Sequence, residues 1–374
     1  MVIKTITDGA IQTKQSHAIP LLPLKQDVET KSILIKLKTA SRALAELKGV
    51  AQTIPNQNIL INTLALQEAK DSSAVENIIT TYDELYQYDS TNKNFINSIA
   101  EKEIFLYKEA LQYGFEEVKK SGLLINSLII DIQAKIEGNN AGFRSQCGTI
   151  LRNDSTGEVI YTPPQDHETI TTHMTNLEKF INDSLISELD PLIKMAIIHH
   201  TFESIHPFFD GNGRTGRIIN ILYLVKEDLL DLPILYLSRY INNNRSTYYQ
   251  LLQNVRETGA WENWILFMLD GVEKTSIQTI SLIKSIRNLI QGHKEHIKSK
   301  LPKIYNHDLI NNLFNHPYTK ISFVEKDMGV QRKTATKYLD ELEKIGLLKK
   351  EKRGKETFYI NIELYNLLSN IIPL

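Results

Sequence analysis

A single cysteine, Cys147, stands in a chain of 374 residues. No intrachain disulfide can form, and a structural zinc site rich in thiolates is excluded. Charge of one sign is also missing, since 43 Lys and Arg face 44 Asp and Glu for a net charge of −1. The molecule as a whole therefore offers no field to draw nucleic acid or an anionic membrane, and any such attraction must be local. Long hydrophobic runs are absent: stretches such as Ile218 to Val225 fall far short of the roughly 20 residues a membrane-crossing helix needs. The first thirty residues are broken by Pro20, Pro23 and polar side chains and lack the apolar core of a signal peptide. There is no fixed-period repeat and no low-complexity tract, which argues against solenoids and long disordered tails. What remains is the composition of an ordinary globular protein, 42% hydrophobic and 23% charged, long enough for about two or three domains. The expectation is a soluble, cytoplasmic protein in a reducing compartment, with no membrane partner.

Residues 1 to about 30 show no period and are expected to form an irregular arm. From Lys31 to about Leu123 apolar residues recur at helical spacing, as in Leu34, Leu37, Ala40, Ala43, Leu44 and Leu47. A second helical region runs from Leu123 to about Ile290. It is interrupted between Phe143 and Pro164, where Asn153, Asp154 and Gly157 supply turn residues between two short β-prone segments, the pattern of a β-hairpin. Thr275 to Lys300 predicts a helix, and Pro302 breaks it, so a domain boundary falls near 300. Beyond it, Ser322 and Glu325 form a capping-box pattern, Gly329 a turn, and Ala335, Leu339, Leu342 and Ile345 an apolar helix face. Two strands around Arg353 and Gly354 would complete a unit that resembles a winged helix-turn-helix.

Most of the chemistry is concentrated between His206 and Arg217, in the stretch HPFFDGNGRTGR. Helical patterns flank it, PLIKMAIIHHTFESI upstream and TGRIINILYLV downstream. The loop thus feeds a helix N-terminus, whose free N–H groups and positive dipole end favour an anion. Gly211 and Gly213 flank Asn212 and are able to take positive φ, turning successive N–H groups into one anion-binding nest. Arg214 and Arg217 are three apart, which on the first helical turn points two guanidinium forks to one side, suited to phosphate oxygens. Asp210 places a carboxylate beside the nest, suited to Mg²⁺ that also contacts substrate phosphates. His206 is able to accept a proton at neutral pH and so to activate a hydroxyl. Phe208 and Phe209 are expected to fill core space and hold the loop in shape.

Every defined position of this stretch matches H-P-F-x-D/E-G-N-G-R-x-x-R, so the chain resembles the Fic family. The resemblance implies a mainly α fold: an all-helical Fic core with a β-hairpin flap, here followed by a C-terminal winged helix-turn-helix domain. The expected units are 1–122, 123–300 and 301–374. It implies transfer of AMP from Mg·ATP to a serine, threonine or tyrosine hydroxyl of a target protein or of the chain itself. His206 would be the base, Asp210 the Mg²⁺ ligand, and Gly211, Asn212 and Gly213 the phosphate cradle. Arg214 and Arg217 would hold the outer phosphates, with Thr215 and Gly216 completing the nucleotide-contacting run. NNRSTYYQLL, from Asn242 onward, is similar to the family segment lining the adenine pocket, with Tyr249 the base-stacking candidate. Ile160 to Pro164 resembles the flap on which a target strand would dock by β-augmentation. Doc toxins, a kinase-like branch, carry lysine where this chain has Gly213, which argues against phosphate transfer.

DSSAVENI, from Asp71, resembles the family's inhibitory pattern through Ser72, Glu76 and Asn77. Ser72 and Glu76 are four apart and share a helical face, and the resemblance implies that Glu76 pairs with Arg217 and so blocks the γ-phosphate position. The C-terminal unit has a modest excess of basic residues, with Gln331, Arg332, Lys333 and Thr336 at the front of its recognition-like helix. The rival function is therefore a DNA-binding regulator whose Fic region senses nucleotide. The target protein, the choice among ATP, GTP and UTP, AMP removal by the same site, and a homodimer through N-terminal helical faces all stay open at this level.

Overall fold

The computed structural model describes residues 19–90, 98–152, 156–354 and 356–370, with the backbone alone for 87–90. Residues 19–30 run without helix, pinned where Leu22 exchanges two hydrogen bonds of 2.8 Å with the Asn176 amide. Helices α1 (Lys31–Ala51), α2 (Asn58–Val75), α3 (Tyr82–Ser90), α4 (Ile99–Ser121) and α5 (Asn126–Glu137) follow. Strands β1 (Leu151–Arg152) and β2 (Val159–Tyr161) then form an antiparallel hairpin with Leu151 opposite Tyr161. Gly157 sits there at φ 69, while Asn153 and Asp154, expected in the same turn, lie outside the described residues.

The centre of the molecule is the pair α7 (Pro191–Ile205) and α8 (Asn212–Lys226), preceded by α6 (His167–Asn182). Asp190 caps α7 by accepting from the Leu192 N–H at 2.8 Å, and Pro191 takes the first helical position, where a missing N–H costs nothing. Both helices are buried nearly all round, as the apolar run on each predicts for a helix inside a core. Around them stand α9 (Leu237–Asn243), α10 (Arg245–Thr258) and the 40-residue α11 (Trp261–Lys300). The helix expected from Thr275 is therefore the second part of a longer one. Helix α1 lies along α11, fastened where Lys36 pairs with Asp270 at 2.5 Å and Glu273 at 2.7 Å. Its inner face differs from the expected one by a residue: Ile33 is fully buried and Leu34 is 46% exposed.

Helix α2 is held between the core and the C-terminal unit. Its buried Glu68 accepts from the Tyr107 hydroxyl at 3.2 Å and the Ser238 N–H at 3.3 Å, and burial pushes its carboxyl up to about 7. Asp71 pairs with Arg239 at 2.8 Å. On the other side Gln67 donates to the Leu368 carbonyl at 3.0 Å.

The C-terminal unit runs α12 (His307–Asn315), β3 (Tyr318–Thr319), α13 (Ile321–Met328), α14 (Arg332–Lys344), β4 (Lys349–Arg353), β5 (Glu356–Ile360) and α15 (Ile362–Ser369), with strand order β3-β5-β4. The capping-box expectation is corrected: α13 starts at Ile321 with Lys320 as its extended N-cap, so Ser322 lies inside the helix, a position from which its hydroxyl cannot cap. Gly329 does end α13 at φ 62, and Ala335, Leu339 and Leu342 are buried on α14. Arg353 pairs with Asp83 of α3 at 2.5 Å, and Tyr318 donates to the same carboxylate. Among the described residues no helix is long and apolar enough to cross a membrane.

Gly114 marks how closely α4 approaches the core. A Cβ there would stand 2.6 Å from Leu222 Cδ1 and 2.9 Å from Ile132 Cδ1. Gly114→Val should lower unfolding stability by about 1–3 kcal/mol through overpacking; an unchanged denaturant midpoint would contradict that packing.

Candidate active site

His206 ends α7 and takes the left-handed conformation, φ 50 and ψ 59, which is unfavourable for a residue with a Cβ and must be imposed by its surroundings. The restraints are visible. Its N–H donates to the Phe202 carbonyl at 2.9 Å, and its carbonyl accepts from Arg144 Nε at 2.8 Å. Arg144, with no exposed surface, also donates its backbone N–H to Pro207 at 2.9 Å and a guanidinium N–H to the Pro164 carbonyl. One side chain thus ties the loop to the end of the β1–β2 hairpin. The His206 ring is buried, and neither of its nitrogens has a hydrogen-bond partner among the described residues. Burial, with the nearby Arg144 and Arg256 charges, pulls its pKa down to about 3, so the imidazole is neutral at physiological pH with a lone pair to offer.

The rest of the loop is clamped by Asn212. Its Oδ1 accepts from the Phe208 N–H at 2.9 Å and its Nδ2 donates to the Phe208 carbonyl at 2.8 Å. Its side chain is therefore engaged in closing the loop, leaving its backbone N–H for a cradle. Phe208 is fully buried and Phe209 half-buried. Gly211 is the N-cap of α8 at φ 78, as a nest requires. Gly213 departs from the expectation: it is the second helical residue and carries no positive φ. A Cβ there would stand 2.3 Å from Glu76 Oε1 and 3.0 Å from Arg217 Nη1, so the Glu76–Arg217 pair would have to shift to admit one. The first repeating helix bond, Thr215 N–H to Gly211 carbonyl at 2.9 Å, leaves the N–H groups of residues 212–214 in the open first turn. Thr215 is buried, and Gly216 allows contact with α7, a Cβ there falling 2.7 Å from Glu203 Oε1.

Because α8 begins at Asn212, Arg217 sits on the second turn rather than the first. The two arginines are engaged by different elements. Arg217 Nε donates to Ser72 Oγ at 2.7 Å, and one terminal nitrogen to the Ser72 carbonyl at 3.0 Å and Glu76 Oε1 at 3.1 Å. Its side chain is only 2% exposed. Burial opposes its charge, but the Glu76 carboxylate and the surrounding Tyr248, Tyr107 and Glu203 outweigh that and raise its pKa. Glu76 is the C-cap of α2, and Asn77 follows at φ 64, a left-handed position that asparagine tolerates well. Arg214 pairs with Glu103 of α4 at 3.0 Å and Glu137 of α5 at 2.7 Å.

The tyrosine pair divides. Tyr248 is buried and bonded to His199 Nε2 at 2.8 Å, whereas Tyr249 is half-buried in the field of Glu76 and Arg217. Arg245 stands over the Tyr249 ring at 5.9 Å and donates to Asn77 Oδ1 at 2.7 Å. Asp210 is exposed at the lip, its Oδ1 accepting from the Gly211 N–H at 2.7 Å. No group of three or more His, Cys, Asp or Glu that could hold a metal occurs among the described residues. Asp210 therefore fits Mg²⁺ only if substrate phosphates supply most of the oxygens, the usual arrangement for that ion.

Glu103, Glu137, Arg144, Glu203 and Arg256 also belong to this site, and no local pattern points to them. Glu203 is buried, which pushes its carboxyl up to about 7 despite Arg217 nearby. Arg256 donates to Ser204 Oγ at 3.0 Å and the Glu203 carbonyl at 3.1 Å, and lies 4.0 Å over the hairpin's Tyr161 ring.

Three family models match the chain: the Fic/DOC family N-terminal at 34–116, the Fic/DOC family at 124–224, and the C-terminal domain of protein adenylyltransferase SoFic-like at 289–364. Among curated relatives, protein adenylyltransferase Fic of Drosophila erecta is 33% identical over 126 residues, covering 33% of this chain and 24% of that protein. The Drosophila virilis protein of the same name is 30% identical over 145 residues, covering 35% and 28%. The chain thus matches only about a quarter of the length of these relatives. A crystal structure of a Fic family protein from Desulfovibrio desulfuricans aligns with 89% of this chain and 96% of its own at a TM-score of 0.56 and 17% identity. Fic-1 from C. elegans aligns at 0.53 and 18% identity, covering 67% and 74%. At these identities the solved structures show a shared fold. The chain thus carries Fic/DOC family N-terminal and Fic domains ahead of a SoFic-like C-terminal domain.

Proposed function

We propose that this chain is a protein adenylyltransferase that moves AMP from Mg·ATP to a hydroxyl side chain, and that Glu76 restrains it. The carrying observation is the open first turn of α8 flanked by two buried guanidinium groups, each already holding a carboxylate beside the α8 N-terminus. An anion of higher charge at that helix end would be held by the same groups. The names of the curated relatives support the same chemistry.

In this reading the triphosphate lies along the α8 N-terminus with its outer phosphates on Arg214 and Arg217, and Tyr249 flanks the base. Bound Mg²⁺ at Asp210 would neutralise phosphate charge. His206 takes the proton of the incoming hydroxyl as its oxygen bonds to the α-phosphorus. The bond from that phosphorus to the bridging oxygen breaks, pyrophosphate leaves with the electron pair, and the imidazole later releases its proton to solvent. Positioning and charge neutralisation carry such a step more than covalent help does. A target segment would pair with an edge of the β1–β2 hairpin, which Arg144 and the Tyr161 hydroxyl, donating to the Ser204 carbonyl at 2.9 Å, tie to the His206 loop.

Glu76 competes because ATP must take Arg217 from it to seat its terminal phosphate. The DNA-regulator alternative has exposed Gln331, Arg332 and Lys333 in its favour, but Arg353 and Lys350 of strand β4 already pair with Asp83 and Asp340 of the same chain.

Glu76→Gly should raise incorporation of labelled AMP on the order of tenfold or more, since breaking a buried ion pair frees the remaining partner's charge; unchanged incorporation would remove Glu76 from the account. His206→Ala should abolish transfer while nucleotide binding persists, and a variant that still modified protein would show another base at work. Because His206 is held neutral far below its ordinary value of 6.5, kcat/KM of the Glu76→Gly protein should stay level as pH falls through that value. An acid limb centred there would mean an imidazole with ordinary solvation.

A further inference from the structure

Two carboxylates, not one, sit on the anion cradle. Glu76 lies over Gly213, and Glu137 lies over Gly211, where a Cβ would stand 2.5 Å from Glu137 Oε1. That same oxygen accepts from Arg214 at 2.7 Å. The Glu137 carboxylate therefore occupies both features an incoming phosphate needs at this end of the cradle: the left-handed glycine cap of α8 and a guanidinium fork. The side chain is 15% exposed and that of Arg214 only 6%, so the contact is largely removed from solvent screening. Arg214 Nε is itself buried without a hydrogen-bond partner among the described residues. The fork is satisfied by Glu137 and Glu103 yet keeps a donor unused.

We propose that Glu137 is a second plug of the cradle, separate from Glu76, and that a triphosphate binds only by turning this carboxylate off Arg214. The proposal rests on the reading of Arg214 as a phosphate-holding group. Glu76 and Glu137 come from different elements, the C-terminus of α2 and the C-terminus of α5, and hold different arginines. Releasing one leaves the other in place, so their effects on binding should combine independently. The carboxylate repels phosphate and also neutralises the cation meant to attract it, and both effects vanish on amidation. Glutamine keeps the shape and an acceptor oxygen for Arg214.

The test is calorimetric binding of ATP, inorganic triphosphate and adenosine to the full chain as native protein, Glu137→Gln, Glu76→Gly and the double variant, with and without Mg²⁺. Thermal melts would show that each variant is folded. Glu137→Gln should tighten ATP and triphosphate roughly fivefold to tenfold, the scale of a buried charge contact, and leave adenosine unchanged. The double variant should combine both gains. Glu103→Gln, on the same guanidinium but 29% exposed, should give a smaller change. Affinity unchanged in Glu137→Gln would overturn the plug, and weaker binding only with Mg²⁺ would overturn it in favour of a metal-supporting carboxylate beside Asp210. If no variant bound triphosphate at all, the reading of the cradle would fall with it, whereas binding without AMP transfer would defeat the enzyme reading alone.

Discussion

A guanidinium with almost no exposed surface must have its charge answered from inside the fold, and Arg217 sets this requirement at the centre of the molecule. The answer comes from a helix more than a hundred residues earlier in the chain. Ser72 and Glu76 supply three acceptors for its fork, which fixes α2 against the first turns of α8. Much of the remaining architecture keeps α2 there: Asp71 on Arg239, Glu68 on Ser238 and Tyr107, and Gln67 on the C-terminal unit. A side chain at Gly213 would begin against the Glu76 carboxylate and displace it. The same arrangement leaves both buried guanidinium groups matched inside the fold, Arg217 by Glu76 and Arg214 by Glu103 and Glu137.

The loop beside this pair is rigid for reasons that are local and countable. His206 holds an unfavourable backbone angle, and the bonds from Arg144 and the double clamp of Asn212 onto Phe208 pay for it. In the proposed reaction, preorganisation of this kind would spare the neutral imidazole any movement. Arg144 also reaches the hairpin through Pro164, and Arg256 stacks on Tyr161, so hairpin and loop form one body around the His206 ring.

The helical frame was legible because apolar residues recur at helical spacing along both central helices, and the glycine-containing loop between them leads into the start of α8. The motif between them was also readable, because short spacings encode contacts made within one or two turns, whereas the pairing of Glu76 with Arg217 joins distant parts of the chain and was implied only by the family resemblance. What was not legible depends on long-range placement. Glu103 and Glu137 are ordinary glutamates in their own helices and gain meaning only when α4 and α5 fold against Arg214. Arg144 and Arg256 act through backbone carbonyls far away in sequence, which no spacing records. Ser322 misled because a capping pattern is local, while the start of α13 is set by strand β3 and its extended exit through Lys320. Between Tyr248 and Tyr249 the family resemblance pointed to the second, and only the fold shows that His199 holds the first from inside the core.

In the proposed reaction Arg217 exchanges an internal carboxylate for the outermost phosphate of a nucleotide lying along α8. The most direct measurement is a crystal structure of the Glu76→Gly protein with Mg²⁺ and a non-hydrolysable ATP analogue. The terminal phosphate should sit on the Arg217 fork, with the α-phosphate within reach of a hydroxyl that His206 could deprotonate. A nucleotide seated away from the α8 N-terminus, with Arg217 still turned to Ser72 alone, would contradict it.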